Sequence, residues 1–292
     1  MDPLWRAPVD GWETPPVSPA TVAAALTALE GGAVVFLPDL AFKVVPAEVN
    51  LFTPAILGTA KNASFDPASQ RLGGTTATGV EAAKLRDMIA RFSASAAALV
   101  DRLFPAYRGR IAQGRASFRP AEIAGRQTTW RKDDTRLHVD SFPATPTGGR
   151  RILRVFANVN PDGRARAWRV GGDFDRLAQR FGDQLRVPLP GSGHLLALLR
   201  VTKSPRTAYD ALMLQLHDRM KEDDAFQRDS PQHAIDFPAG STWIAFTDQV
   251  SHAAMSGQYQ LEQTFLLPVD AMTQPDRSPL RILERVKGRR LA

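Results

Sequence analysis

The sequence predicts a mainly β chain, a sandwich or barrel with flanking helices, on three observations. Proline (22 residues) and glycine (21 residues) are frequent, which favours strands, turns and loops over a helical bundle. The run Arg151 to Pro161 and several short apolar runs after Phe237 carry the β-branched and aromatic bulk of strands. At 292 residues the chain is near the upper limit for one hydrophobic core, so one decorated domain over 1–292 is the default expectation.

Taken in order, residues 1–17 are rich in Pro and Trp and read as an irregular arm packed on the body. Ser18-Pro19 opens a helix, with serine as N-cap, proline in the first turn and Val22, Leu26 and Leu29 at helical spacing, and Gly31-Gly32 closes it. Ala33 to Leu37 is a compact strand stopped by Pro38, and 49–79 reads mostly as loop. Between Val80 and Phe104, apolar residues recur every three or four positions (Leu85, Ile89, Phe92, Ala96, Leu99, Leu103), which predicts a long amphipathic helix bracing a sheet. Strand-like pieces follow at 116–118 and 127–130. In the strand from Arg151, alternation sets Arg154, Phe156, Asn158 and Asn160 on one face, and a polar inner face suggests a ligand cavity.

Beyond it, 168–172 reads as a further strand and 206–226 as a helical insertion covering one mouth of the barrel, with Tyr209, Leu212, Met213, Leu216 and Met220 as its stripe. The last third returns to strands at 241–247 and 249–254. Ser256-Gly257 is then a hairpin turn leading to a partner strand from Tyr259 to Leu267. The segment 277–292 holds six basic residues against Glu284 in a weakly amphipathic helix.

Composition removes several chemistries. There is no cysteine, so disulfides, thiolate metal sites, iron–sulfur clusters and cysteine nucleophiles are excluded, and any metal must be held by His, Asp or Glu. A net charge of +7 favours anionic partners. Nucleic acid is not expected among them, because no recognition motif accompanies the arginines. No apolar run approaches the ~20 residues of a membrane span, and no signal peptide is read at the start, so the expectation is a cytoplasmic protein, soluble or peripheral on the inner membrane.

The chemistry is written at His138-Val139-Asp140. In an extended chain His138 and Asp140 point the same way and can share one metal ion. A distant histidine would complete the two-histidine, one-carboxylate triad whose open positions suit iron(II) and dioxygen. Of the remaining histidines, His194, His217 and His233 read as structural, whereas His252 ends a strand just before a turn, where a double-stranded β-helix (jelly-roll, cupin-like) barrel places its distal ligand. His138, Asp140 and His252 are therefore the expected metal and catalytic residues. Oxygenases of this kind take 2-oxoglutarate, whose far carboxylate needs a buried cation. The slot ten residues past the distal histidine holds Glu262 instead. Arg154 is the expected replacement, with Asn158 beside it on the polar face and Arg131 and Arg151 in reserve, Arg151 reading by itself as a surface cation.

Lys61 to Pro67, the block from Arg126 to Asp140, Arg154 to Pro161, Gln249 to His252 and Glu262 to Phe265 resemble the Kdo 3-hydroxylases of Gram-negative bacteria, over about residues 20–290. The resemblance implies an Fe(II)- and 2-oxoglutarate-dependent dioxygenase that uses O2 to hydroxylate the 3-deoxy carbon of a Kdo sugar in the lipopolysaccharide inner core, on Kdo-lipid A, yielding Ko, succinate and CO2. Kdo carries a carboxylate and lipid A carries phosphates. The basic block Arg126, Arg131, Lys132, Arg136, Arg150 and Arg151 and the cationic C-terminus would then face an anionic inner-membrane surface. The sequence leaves a homo-oligomer open. It also leaves open an oxygenase for a peptide or small metabolite, and a non-catalytic jelly-roll binder of anionic sugar or lipid.

Overall fold

In the computed structural model, which describes residues 2–292, two β-sheets face each other. The elements in chain order are β1 (Leu4–Arg6), α1 (Pro19–Glu30), β2 (Val34–Leu37), β3 (Ala63–Asp66), β4 (Arg71–Gly73), α2 (Gly79–Leu103), β5 (Ala112–Arg119), β6 (Arg151–Asn158), β7 (Arg166–Gly171), α3 (Phe174–Gly182), α4 (Ser192–Leu198), α5 (Ala208–Glu222), α6 (Asp224–Asp229), β8 (Gln232–Phe237), β9 (Thr242–Phe246), β10 (His252–Ser256), β11 (Gln260–Leu267) and α7 (Pro279–Lys287). The large sheet has the order β1-β2-β9-β6-β11-β5-β3-β4 and the small one β10-β7-β8. His138 adds a rung beside His252 as an isolated antiparallel bridge. Strands β5, β11, β6 and β9 therefore face β10, β7 and β8, and these are the two walls of a double-stranded β-helix with helices outside.

Alternation decides which side chains line the interior. On β6, Leu153, Val155 and Ala157 point outward into a core shared with α1 and α2, while Phe156 points inward to an aromatic cluster with Trp168, Phe237 and Trp243. On β11, Leu261, Phe265 and Leu267 join the outer core, and Gln263 reaches back to α2, accepting from Ser93 Oγ at 2.6 Å. This leaves Glu262 for the interior. Helix α2 buries Leu85, Ile89, Phe92, Ala96, Leu99 and Leu103 against this sheet. Burying each of the larger side chains stabilises by roughly 1.5–3 kcal/mol. Helix α1 is capped as expected, Ser18 Oγ accepting from Thr21 N at 3.1 Å. A third core holds α3, α5 and α7 against Leu137 and Val139.

Several expectations change. The segment 49–79 contains the β3–β4 pair, whereas 127–130 is not a strand. The stretch between β7 and α5, where the sequence marks no helix, contains α3 and α4, and the arm supplies β1, parallel to β2. Residues 249–254 do not continue β9. The chain crosses there to the small sheet, where β10 pairs with β7. Ser256-Gly257 is consequently an arch between sheets and not a hairpin turn, because β11 pairs with β5 and β6. Gly257 takes φ +122°, and a Cβ there would lie 2.9 Å from Arg166 Cγ, so the close crossing requires glycine. Arg151 is not a surface cation: it is fully buried, giving Nε to Asp248 Oδ2 at 2.7 Å and Nη2 to Gln249 Oε1 at 2.6 Å.

Candidate metal centre

The trio is assembled by backbone pairing. His138 N donates to His252 O (3.0 Å) and His252 N to His138 O (2.9 Å), which lays the two imidazoles side by side with ring centroids 4.7 Å apart. Asp140 N donates to Thr247 O at 2.8 Å. Leu137 and Val139 point the other way, into the core under α5, so His138 and Asp140 share the inner face as their spacing predicts. One ligand atom from each of His138, Asp140 and His252 lies within 4.8 Å of the others.

These donors fit a cation. His138 Nδ1 lies 2.7 Å from Arg136 O, and His252 Nδ1 lies 2.8 Å from Val250 O. A carbonyl can only accept, so the proton sits on Nδ1 and each Nε2 presents its lone pair inward. Asp140 Oδ2 is buried and makes no hydrogen bond among the described residues, facing only the Arg154 guanidinium at 3.2 Å. Burial, with the Lys221 ammonium nearby, holds the His138 imidazole well below its ordinary value, and burial also lowers His252. For Asp140, burial opposes ionisation but the Arg154 guanidinium foremost outweighs it, and its carboxyl lies well below the usual carboxylate range. Two neutral imidazoles and one carboxylate are the protonation states that a divalent metal needs.

Around the trio, Trp168 stacks on His252 (5.1 Å, 20°), and His217 on α5 approaches His138 edge-on at 5.3 Å. Helix α5 therefore packs directly beside the trio. On the large-sheet wall, Arg154 Nε is 3.2 Å from Asp140 Oδ2 and its Nη1 donates to Glu262 Oε1 at 2.8 Å, while Arg119 Nε donates to Glu262 Oε2 at 3.0 Å. Glu262 thus clamps two cations from neighbouring strands, and despite the opposing effect of burial they hold its carboxyl below its ordinary value. Arg166 is also buried. It donates Nη1 to Gly257 O at 3.2 Å, and its Nε has no hydrogen-bond partner among the described residues. Burial and the nearby Arg119 pull it down to about 9, so it stays a cation at neutral pH.

Of the residues expected from sequence, the structure brings together His138, Asp140, His252 and Arg154. Arg131 is not among them: it is exposed, paired with Asp218 at 3.2 Å and lying over the Trp130 ring. Asn158 spends its amide on Arg164 O (2.9 Å) and Phe237 O (3.0 Å) and its carbonyl on Asn160 N (3.0 Å), which braces a turn. His194 and His233 are exposed. Arg119, Arg166 and Trp168 were missed. Reading β7 from Arg166, two residues before the expected start, would have placed Arg166, Trp168 and Val170 on one buried face.

The model of the 3-deoxy-D-manno-oct-2-ulosonic acid (Kdo) hydroxylase family matches residues 13–290. The chain belongs to the Kdo hydroxylase family. A crystal structure of the Kdo hydroxylase KdoO, a non-heme Fe(II), α-ketoglutarate-dependent dioxygenase, in complex with α-ketoglutarate and Fe(III) is 44% identical with a TM-score of 0.96, covering 100% of this chain and 98% of that one. The cobalt(II) complex of KdoO is 45% identical with a TM-score of 0.97, covering 99% and 97%, and the complex with succinate and Fe(III) is 44% identical with a TM-score of 0.95, covering 99% and 97%. No curated protein matches the chain in a sequence search. In this Kdo hydroxylase no helix among the described residues is long and apolar enough to cross a membrane.

Proposed function

We propose that this chain is an Fe(II)- and 2-oxoglutarate-dependent dioxygenase that hydroxylates a Kdo sugar at its 3-deoxy carbon, on Kdo-lipid A or a related lipopolysaccharide precursor. In this reading it is a cytoplasmic enzyme working against the anionic face of the inner membrane. The observation that carries the reading is the buried His138–Asp140–His252 trio, in a chain that matches the Kdo hydroxylases from end to end. His138 Nε2, His252 Nε2 and one Asp140 oxygen would hold the iron. Bound Fe(II), with 2-oxoglutarate and O2, supplies the oxidising power for C–H hydroxylation and leaves succinate and CO2.

The protein's own part is positional. The Arg136 and Val250 carbonyls fix both imidazole tautomers, and Trp168 and His217 fix the ring planes. Arg154 is our choice for the far carboxylate of the co-substrate. It is mostly buried, stands beside Asp140 and is aimed by Glu262, and a guanidinium so held offers a preformed fork. Glu262 in the slot where many oxygenases of this kind carry a cation is then consistent, since it orients an arginine supplied from β6. Helix α5 shields this end of the barrel from water.

The test is to load the enzyme anaerobically with Fe(II) and 2-oxoglutarate, admit O2, and analyse Kdo-lipid A by mass spectrometry. The expected product gains one oxygen with stoichiometric succinate. Succinate formation that Kdo-lipid A does not stimulate, with no mass change, would overturn the substrate assignment.

A further inference from the structure

Outside the barrel, the segment 186–206 has a surface that neither core nor catalysis explains. Five of the eight exposed large aliphatic side chains among the described residues fall within it: Leu189, Leu195, Leu198, Leu199 and Val201, each between 55% and 82% exposed. Helix α4 buries none of its residues, whereas the neighbouring α3 and α5 each bury a full apolar face. The same segment carries Arg186, Arg200, Lys203 and Arg206, and no acidic residue occurs between Asp183 and Asp210. Leu195, Leu198 and Leu199 share one face of α4 at i, i+3 and i+4 spacing, and exposed aliphatic side chains grouped beside one sign of charge mark an interaction surface.

The patch is held firmly and near the site. Gly191 and Gly193 shape the turn: Gly191 takes φ +82°, and a Cβ on Gly193 would fall 2.0 Å from Arg206 O, so the two ends of the loop touch. Lys203 N donates to Ala144 O at 3.0 Å and Arg206 Nη2 to Pro143 O at 2.6 Å. Pro143 and Ala144 lie three and four residues past Asp140, so the segment after α4 is tied to the loop that follows the candidate metal ligand.

We infer that 186–206 is a membrane-docking element: Leu189, Leu195, Leu198, Leu199 and Val201 enter the interfacial layer of an anionic bilayer, and the exposed Arg186, Arg200 and Lys203 meet its phosphates. The inference rests on the reading of the substrate as a lipid-linked sugar and adds the part of the chain that meets the lipid. The occupant follows from the chemistry. Branched aliphatics beside unopposed cations complement acyl chains beneath phosphates, the pattern of interfacial segments. The basic C-terminus fits less well, because α7 buries Leu280, Ile282 and Leu283, Lys287 is bound to the Gly182 and Leu185 carbonyls, and Arg281 pairs with Glu284. A membrane held by 186–206 would present the polar head of a lipid substrate to the mouth beside Asp140.

The experiment uses the full-length, Fe(II)-loaded enzyme and co-sedimentation with vesicles of phosphatidylethanolamine and phosphatidylglycerol, against phosphatidylcholine alone. The wild type is expected to bind the anionic vesicles. In Leu195→Ser/Leu198→Ser/Leu199→Ser, at roughly fivefold per leucine, partitioning should fall by about a hundredfold. Arg200→Gln/Lys203→Gln should weaken it about tenfold and flatten its salt dependence. Turnover of a delipidated Kdo oligosaccharide should stay within about twofold of wild type in both variants, since exposed side chains contribute little to the fold. Equal vesicle binding by the wild type and the triple-serine variant would overturn the inference, as would absence of wild-type binding to anionic vesicles. So would a wild-type dimer that the serines dissociate without changing vesicle binding. If the vesicle results hold while no Kdo sugar is oxidised by any of the proteins, the docking element stands and the activity reading falls.

Discussion

Two parts of the barrel interior meet across Trp168 and are built on opposite principles. On one side Phe156, Trp243 and Phe237 stack on each other, with Phe237 and Trp243 at 4.1 Å and 8° and Phe156 and Trp243 at 5.3 Å and 18°. On the other side His252, against which Trp168 stacks, opens a region of His138, Asp140, Arg154, Glu262, Arg119 and Arg166. The aromatic side gains free energy from burial and ring contacts. The charged side spends free energy on desolvation that its ion pairs return only in part. The first is what makes the barrel stable. The second is held in place by it, and its cost makes sense only through a ligand.

That contrast can be broken by substitution, and the largest effect should come from the metal side. His138→Ala should abolish succinate formation while costing the metal-free fold only about 1–2 kcal/mol in urea titration. Turnover retained in the variant would remove His138 from the site. On the aromatic side, Trp243→Ala should do the reverse, lowering stability by about 3–5 kcal/mol with iron affinity unchanged under conditions where the protein is folded. A stability loss as small as that of His138→Ala would mean that the cluster is not the barrel's anchor.

Within the charged side, Arg154→Met should raise KM for 2-oxoglutarate by about 30-fold or more, the scale for losing a buried charge-assisted pair. Arg166→Met sharpens the comparison: if it raises that KM more than Arg154→Met does, the co-substrate cation lies on β7 and not on β6. The smallest effect concerns acid. The Glu262 carboxyl sits below its unfolded value because Arg119 and Arg154 favour its ionised form. Its contribution is fully present above about pH 4.5 and is lost as pH falls through the lower folded value, because the unfolded chain takes up the proton first. Urea midpoints measured from pH 6 to pH 3 should fall less steeply in Glu262→Gln than in wild type, and equal slopes would show that Glu262 does not feel the two arginines.

Much of this was legible in residues that are close in sequence. The His138/Asp140 spacing, the inward face of β6 with Arg154, the α2 stripe and the Ser18 cap are all set by local periodicity, 2.0 or 3.6 residues per repeat. The less legible parts depended on which strands pair. Nothing near Ser256-Gly257 distinguishes a hairpin from an arch, and only the partners of β10 and β11 do. Arg151, read as a surface cation, proved to be a buried anchor because Asp248 and Gln249 reach it from far along the chain. Nothing in the α4 sequence marks it as exposed, and only the folded chain shows Leu195, Leu198 and Leu199 on the surface.

By itself the sequence determined a cysteine-free, mainly β chain with an iron-type ligand set and a family resemblance, because residue chemistry and short-range periodicity are written one position at a time. The tertiary structure decided which cations face the cavity, that Glu262 clamps Arg119 and Arg154, that Asn158 and Arg131 lie outside the charged cluster, and that five aliphatic side chains of the 186–206 segment remain on the surface. Those outcomes follow from pairing between distant strands and from burial, which no local stretch of the chain specifies.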